Sequence, residues 1–319
     1  MMDTRRRAAI ASQSSKFTVV VWALSGARLF QFASTLVLFG SAIFSLYGCP
    51  DARTPERAWP RWLLPLAAAI GIISTLAWLS AEAASLTGTW TALDAVVNGT
   101  RFGQILALRG LLLTLTLIVC FIVKSAKALD ILVSILGGLS VASFAWTGHG
   151  TVATGSGLHL VGDVLHLLAA GIWLGALVPL SFLLALSIHV HTAAYARGVV
   201  HGLARFSAIG PAVVAILTLT GIVNAWYLIG LSRWSALFDT TYGLALLAKV
   251  GLFFGMLALA ASNRWRLTPR LQAALASSGT IGPALRALRA SLFAETALAF
   301  LVLAIVAVLG ILEPPVSAN

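Results

Sequence analysis

Three of the chain's six histidines stand in one short stretch, residues 147–168, which reads TGHGTVATGSGLHLVGDVLHLL. They are His149, His159 and His166, and Asp163 is the one acidic residue among them. Imidazole is the commonest metal ligand in proteins, and a mixed set of nitrogen and oxygen donors suits Cu(II). These residue types therefore indicate a metal site.

The spacing after His159 places three of these groups on one side of a helix. At about 100° per residue, Asp163 lies about 40° from His159, and His166 lies about 20° away in the other direction. The segment before them is rich in Gly, Ser and Thr and is short enough to fold His149 back toward this stripe. We predict a metal site formed by His149, His159, Asp163 and His166. A structural network or a proton relay made of the same groups is the alternative.

The remaining histidines, His189, His191 and His201, carry a weaker signal. The first two are two positions apart, so they do not share a helical face. Two interpretations stay open for all three: ordinary residues at a membrane interface, or a site of metal release.

The composition indicates what kind of scaffold holds these groups. Hydrophobic residues make up 59% of the chain and charged residues only 10%, against about 25% charged residues in soluble domains. The mean hydropathy is +0.96. We predict a polytopic membrane protein. Its net charge of +11 then reflects Lys and Arg in cytoplasmic loops rather than nucleic-acid binding.

A membrane-spanning helix needs about 20 mainly apolar residues, and every backbone polar group inside the bilayer must be paired. The predicted fold is therefore all-α, a membrane bundle of about eight transmembrane helices. It forms a single domain over residues 1–319, with no repeat or soluble domain visible. The predicted spans are about 18–47, 62–86, 103–123, 129–147, 160–188, 206–230, 243–262 and 291–312.

Two further segments need an interpretation. The basic N-terminus followed by an apolar run could pass for a signal peptide. However, Arg28 interrupts the run, no small-residue cleavage site closes it, and it continues to Tyr47, so we predict a retained helix. The polar connection 263–290 contains five arginines, and we predict a short amphipathic helix on the membrane surface in its last part.

The positive charges of the connections predict the orientation in the membrane. The opposite connections hold little beyond Arg101 and Arg233. We therefore expect the basic connections to face the cytoplasm, both termini to lie outside, and His149 and His159 to lie on the periplasmic side. The basic N-terminal cluster opposes this orientation. The basic connections are 48–61, 124–128, 189–205 and 263–290.

Six charged residues lie within the predicted spans, three of each sign. An unpaired charge in a membrane is costly, so we predict pairs that lock the bundle; gating or proton coupling is the alternative. Asn224 is a candidate for a hydrogen bond across helices. Trp173, on roughly the face of His166, either closes a pathway or is plain packing. The six are Arg28, Glu82, Arg109, Asp163, Lys249 and Glu295.

Several blocks of the sequence resemble one family. The most distinctive are WTGH at 146–149 and HLVGDVLHLLAAGIWLGAL at 159–177, with RFSAIGPAVVAILTLTGIVNAW and TTYGLALLAKVGLF further on. They resemble the CopD/PcoD family of copper-resistance inner-membrane proteins, with Gly150 as a departure where Ala is expected. The resemblance implies a copper ion of undecided oxidation state, the bacterial inner membrane, and a small periplasmic copper carrier, CopC, as a partner.

The leading prediction is copper transport or handling across the inner membrane, with uptake from the periplasm through the histidine site. The chain has neither a P-loop nor the aspartyl-phosphate motif of P-type pumps, so we expect no use of ATP and no enzymatic activity. Two alternatives stay open. A haem-bearing electron carrier would need two histidines at similar depth on facing helices. A sensor or assembly subunit would not transport copper.

Overall fold

The computed structural model of the protein describes residues 2–48, 62–147, 157–186, 193–229, 235–277, 280–312 and 315. All regular structure in these ranges is helical, and eight of the helices are long and apolar enough to cross a membrane. The predicted all-α polytopic bundle is therefore confirmed. Of the histidines, His149, His189 and His191 lie outside the described ranges.

The described residues contain eight long helices and three short ones, which are α3, α8 and α10. A 3-10 turn at Ser143–Trp146 continues α5. The helices are α1 (Met2–Gly48), α2 (Leu63–Thr87), α3 (Leu93–Gly99), α4 (Arg101–Ile122), α5 (Ala126–Ala142), α6 (Gly157–Leu186), α7 (Ala193–Ile229), α8 (Ala236–Asp239), α9 (Thr241–Ser262), α10 (Thr268–Ala276) and α11 (Gly282–Leu309).

Two spanning helices start well before the apolar runs that predicted them. Helix α7 begins at Ala193 rather than near 206, and α11 begins at Gly282 rather than near 291. Hydrophobicity marks the part of a helix inside the bilayer, whereas backbone hydrogen bonding continues into the polar zone, where Arg side chains reach water. The apolar limits therefore miss about two to four turns of each helix.

The connection after α9 also differs from its prediction. Its last part, predicted as a surface helix, is the beginning of α11, so that prediction is wrong. The short helix is α10 instead, in the first part of the connection. It follows a π-helical turn at Asn263–Leu267 and packs against α7, with Leu271 fully buried. An amphipathic pattern does not reveal whether the apolar face meets lipid or protein.

The spanning helices form two halves with the same packing order. The first half consists of α1, α2, α4 and α5, and the second of α6, α7, α9 and α11. In each half the first helix packs against the second and the fourth, and the third packs against the fourth. This shared packing order was not predicted from the sequence, in which no repeat is visible.

The third helix of each half also begins in the same way. Thr100 precedes α4 and Thr240 precedes α9, each after a short helix. The Thr100 hydroxyl accepts a hydrogen bond from the Gly103 amide at 2.9 Å, and the Thr240 hydroxyl accepts one from the Gly243 amide at 3.0 Å. Such caps satisfy amides that a helix start leaves unpaired.

The halves meet where α1 crosses α6. Gly40 lies so close to Gly171 and Gly175 that a Cβ atom on Gly40 or Gly175 would clash with the opposing backbone. Small residues four positions apart allow this close approach of helices in membranes. Helices α1 and α6 are also the most buried of the eight, so the crossing is the centre of the bundle.

Candidate metal site

The stripe predicted on α6 faces α7. His159 is only 5% exposed, and its Nε2 atom lies 3.9 Å from Oδ2 of Asp163, one turn further along. The His159 ring packs against Tyr227 of α7, with 4.5 Å between the ring centroids. One nitrogen and one oxygen are thus held together at the start of α6.

His166 makes a different contact with α7. Its Nδ1 atom is 2.9 Å from the hydroxyl oxygen of Thr220, which also bonds to the backbone carbonyl of Ile216. With the hydroxyl donating to that carbonyl, its oxygen accepts from the Nδ1–H group. The lone pair of Nε2 is then the one available to a metal. Thr220 therefore selects which nitrogen of His166 could ligate.

Asp163 joins three helices. The side-chain amide of Asn224 on α7 hydrogen-bonds to the carboxylate, and Lys249 on α9 interacts with it electrostatically. The cross-helix hydrogen bond expected for Asn224 is therefore present. The pairing of Lys249 with Asp163 was missed because it depends on a contact between α6 and α9, for which the sequence carries no local signal.

The structure brings His159 and Asp163 together, while His166, about one turn beyond Asp163, turns to Thr220. No three His, Cys, Asp or Glu side chains converge on one point within the described ranges, and His149 is not among the described residues. The four-ligand site stays a prediction. Two metal–ligand bonds of about 2 Å each would together span the 3.9 Å between His159 Nε2 and Asp163 Oδ2.

A pair of histidines for haem is not formed by the described helices. His159 and His166 both belong to α6. The helices that pack against it, as far as they are described, carry only His201, which is exposed near the start of α7, far along that helix from Thr220. The described part of the bundle therefore offers no facing histidines at one depth.

A second buried polar cluster lies in the part of the bundle where α9 ends. Glu295 of α11 is 1% exposed. One of its carboxylate oxygens accepts a hydrogen bond from the Trp173 indole, and the other accepts one from the Asn263 amide, both at 2.9 Å. Trp173 therefore does more than fill space or close a pathway, because its indole N–H hydrogen-bonds to the carboxylate of Glu295. The sequence did not indicate this cluster, since its members come from three helices.

In the first half, a buried arginine is held by neutral groups. Arg109 of α4 is fully buried. It donates from Nε to the Ser143 hydroxyl at 2.8 Å and from Nη2 to the Thr147 hydroxyl at 3.1 Å. Its guanidinium carbon lies 3.9 Å from the centroid of the Phe144 ring. Hydroxyls and an aromatic face thus replace the carboxylate that was expected as its partner.

The six intramembrane charges therefore follow two patterns. Two pairs interact across helices, Arg28 with Glu82 and Lys249 with Asp163. Arg109 and Glu295 have hydrogen-bonding partners that are neutral. Equal numbers of each sign suggested complete pairing, but buried charges are also tolerated when hydrogen bonds satisfy them.

Two family models match the chain. The one described as "Copper resistance protein D-like, N-terminal domain" matches residues 17–160, and the one described as "Copper resistance protein D" matches residues 200–309. Copper resistance protein D of Pseudomonas syringae pv. tomato is 33% identical over 92% of this chain and 97% of its own length. The chain belongs to the copper resistance protein D family. The resemblance recognised in the sequence is confirmed.

Two further relatives of this copper resistance protein D family member are known by name. Inner membrane protein YebZ of Escherichia coli (strain K12) is 27% identical over 77% of this chain and 84% of its own length. Copper transport protein CutJ of Bacillus subtilis (strain 168) is 36% identical over 39% of this chain and 22% of its own length. No solved structure matches the chain. With eight apolar helices, the chain is a multi-pass inner-membrane protein.

Proposed function

We propose that this protein transports copper across the bacterial inner membrane and takes it up from the periplasm through the second half of the bundle. Family membership supports copper handling. The observation that carries the proposal is the pair formed by buried His159 and partly buried Asp163, which sets an imidazole nitrogen 3.9 Å from a carboxylate oxygen.

In this proposal copper is bound by His149, His159, Asp163 and His166. Neutral imidazole and ionised carboxylate are the ligating forms, so binding weakens as the pH falls. Asn224 acts on the metal through Asp163, because its hydrogen bond sets the direction of the carboxylate.

Lys249 would play a further part at this site. When no copper is bound, a protonated Lys249 would balance the charge of an ionised Asp163, with which it interacts electrostatically. A copper ion therefore competes with the Lys249 ammonium for the carboxylate of Asp163. That competition keeps the site from holding its cargo irreversibly.

Copper bound per protein tests the site. Purified parent, His159→Ala and His166→Ala proteins are titrated with copper in detergent, and copper is measured by mass spectrometry. Losing a ligand should cost more than the roughly 10–100-fold in affinity that a residue supporting a ligand costs, the effect expected for Asn224→Leu. Ser277→Ala, at an exposed position, is the control and should bind copper like the parent. Alanine variants with parental affinity would contradict the site.

Copper content of cells tests the direction. Cells that express the parent should accumulate copper and grow poorly in excess copper, whereas cells with His159→Ala should do neither while keeping the protein in the membrane. Less copper than in empty-vector cells would reverse the direction. A purified parent that binds no copper would point to a sensor or assembly role, and a Soret band would point to haem.

Cysteine labelling tests the orientation on which uptake depends. Thr89 and Ser277 are exposed at opposite ends of the bundle. In a variant whose native cysteines are replaced by serine, an impermeant thiol reagent added to spheroplasts should label Thr89→Cys and not Ser277→Cys. The reverse pattern would place His159 on the cytoplasmic side and exclude periplasmic capture.

A further inference from the structure

Beneath the histidine stripe, the second half contains a cavity that copper capture at His159 leaves unused. Its volume is about 490 Å³, and it lies between α6, α7, α9 and α11. Most of its lining is apolar, with side chains such as Leu177, Val214 and Leu257. Its polar lining residues include Glu295, Asn263, Ser207, Arg264 and Thr268, and of these Glu295 and Asn263 are the most deeply buried pair joined by a hydrogen bond.

The hydrogen bonds of this pair leave acceptors unused. Glu295 receives one hydrogen bond at each carboxylate oxygen, and each oxygen has a further lone pair. The Asn263 amide nitrogen donates to Glu295. Its Oδ1 atom is buried and has no hydrogen-bond partner among the described residues. Leaving a buried acceptor unsatisfied is unfavourable. A cation in the cavity would satisfy it.

The backbone around Asn263 is shaped for this position. Asn263 begins the π-helical turn that ends at Leu267. Such turns break the regular helical register and are frequent at functional sites. The next residue, Arg264, donates a hydrogen bond to the backbone carbonyl of Ser207 on α7, and both residues line the cavity. The turn therefore holds Asn263 inward while Arg264 bridges to the opposite wall.

The cavity lies in line with the predicted copper ligands. Trp173 follows His166 by seven residues, which is two helical turns or about 10 Å along the same face of α6. Trp173 is 3% exposed and bonds to Glu295. An ion that leaves His166 and moves along this face would next meet the ring of Trp173 and the carboxylate behind it.

We propose that Glu295 and Asn263 form a second copper site, made of oxygen ligands, from which the ion leaves toward the end of the bundle that carries Arg264. The inference rests on the proposed transport function. Oxygen donors hold copper less tightly than imidazole does. Along a transport path, each site must bind the ion tightly enough for it to enter and weakly enough for it to leave. The nitrogen-rich site captures the ion, and the oxygen site releases it.

Copper uptake into proteoliposomes tests the inner site in the full-length protein. Glu295→Gln removes the charge and Asn263→Leu removes the amide oxygen. Each should lower the initial uptake rate at least tenfold, while the affinity for the first copper ion stays within about threefold of the parent. Glu295→Asp should restore part of the rate. Ser262→Ala, next to Asn263, is the control and should transport like the parent.

Cu(II) electron paramagnetic resonance provides a readout that does not depend on transport. In a background that carries His149→Ala, His159→Ala and His166→Ala, a weak copper signal without nitrogen hyperfine coupling should remain. It should disappear when Glu295→Gln or Asn263→Leu is added. Absence of that signal in the background protein, or parental uptake by Glu295→Gln, would overturn the inner site. So would a Glu295→Gln protein that is folded but has lost the first copper ion as well. Parent vesicles without any uptake would contradict the transport function instead, and the resonance signal would then decide on the inner site alone.

Discussion

The two halves of the bundle carry opposite charges at matching distances from the crossing that joins them. Arg28 precedes Gly40 by twelve residues on α1, and Asp163 precedes Gly175 by twelve residues on α6. Three residues closer to each glycine stand Gln31 and His166. The second half thus places an acid and an imidazole, both able to bind copper, where the first half places a cation and an amide.

The third helices keep the same sign in both halves. Arg109 and Lys249 each follow their capping threonine, Thr100 or Thr240, by nine residues. In the second half this cation meets Asp163. In the first half Arg109 and Arg28 are both cations, and they share the face of Trp78, with guanidinium-to-centroid distances of 6.0 and 4.8 Å. The aromatic rings stabilise both cations, and Arg28 also interacts with the carboxylate of Glu82.

The halves also differ in how tightly they close. Helix α2 packs along α4, whereas α7 and α9, their counterparts, hardly touch over the described residues. The space between them is occupied by the cavity above Glu295. The same arrangement of helices thus has two forms. The first half is closed, whereas the second half leaves a cavity between its helices.

The largest effect is expected where the halves meet. Gly175→Leu places a side chain against the backbone of Gly40. Overpacking a core costs about 1–3 kcal/mol and more where backbone must move, so we expect little monodisperse protein on size exclusion and a much lower unfolding temperature. Gly251→Ala is the control, because nothing lies within 4 Å of its Cβ position. A Gly175→Leu protein that melts like the parent would mean that the halves do not meet at this crossing.

Arg109 and Lys249 occupy equivalent positions in the two halves. Exchanging them, as Arg109→Lys and Lys249→Arg, should distinguish a role in stability from a role in copper binding. Arg109→Lys loses the fork to Ser143 and Thr147 and the stacking on Phe144, and it should lower the free energy of unfolding by about 2 kcal/mol. Lys249→Arg should instead lower copper affinity by about tenfold and change stability less. Denaturant unfolding and copper titration measure both.

The control for this exchange is Arg101→Lys, an exposed position at the start of α4. It should change neither quantity. Equal losses of stability from Arg109→Lys and Lys249→Arg would show that both halves serve as support, and the functional contrast between them would be lost.

The smallest effect tests whether the two halves are built alike. Thr100→Ala and Thr240→Ala each remove a cap on the third helix, and each should cost about 1 kcal/mol. Thr100→Ser and Thr240→Ser should retain most of the stabilisation by the cap. Thr114→Ala, exposed within α4, is the comparison for loss of a hydroxyl alone. Clearly unequal costs at Thr100 and Thr240, measured by denaturant unfolding, would weaken the equivalence of the two connections.

Hydrophobicity and helical period were enough to predict eight spanning helices and the stripe of His159, Asp163 and His166. Both are properties of one helix at a time: the bilayer demands paired backbone over a known length, and residues three or four apart share a face. The sequence blocks around His159 resemble a copper-resistance family, and that resemblance predicted copper as the metal. None of these signals needs two distant segments to be placed side by side.

The partners of those residues were decided only by packing. Trp173 and Glu295 are separated by 122 positions and Arg109 and Ser143 by 34. The opposed signs of Arg28 and Asp163 gain meaning only once α1 and α6 are seen to cross. A hydrogen bond requires two groups within about 3 Å. Which groups come that close depends on how the helices pack, and sequence spacing along any single helix carries no information about that.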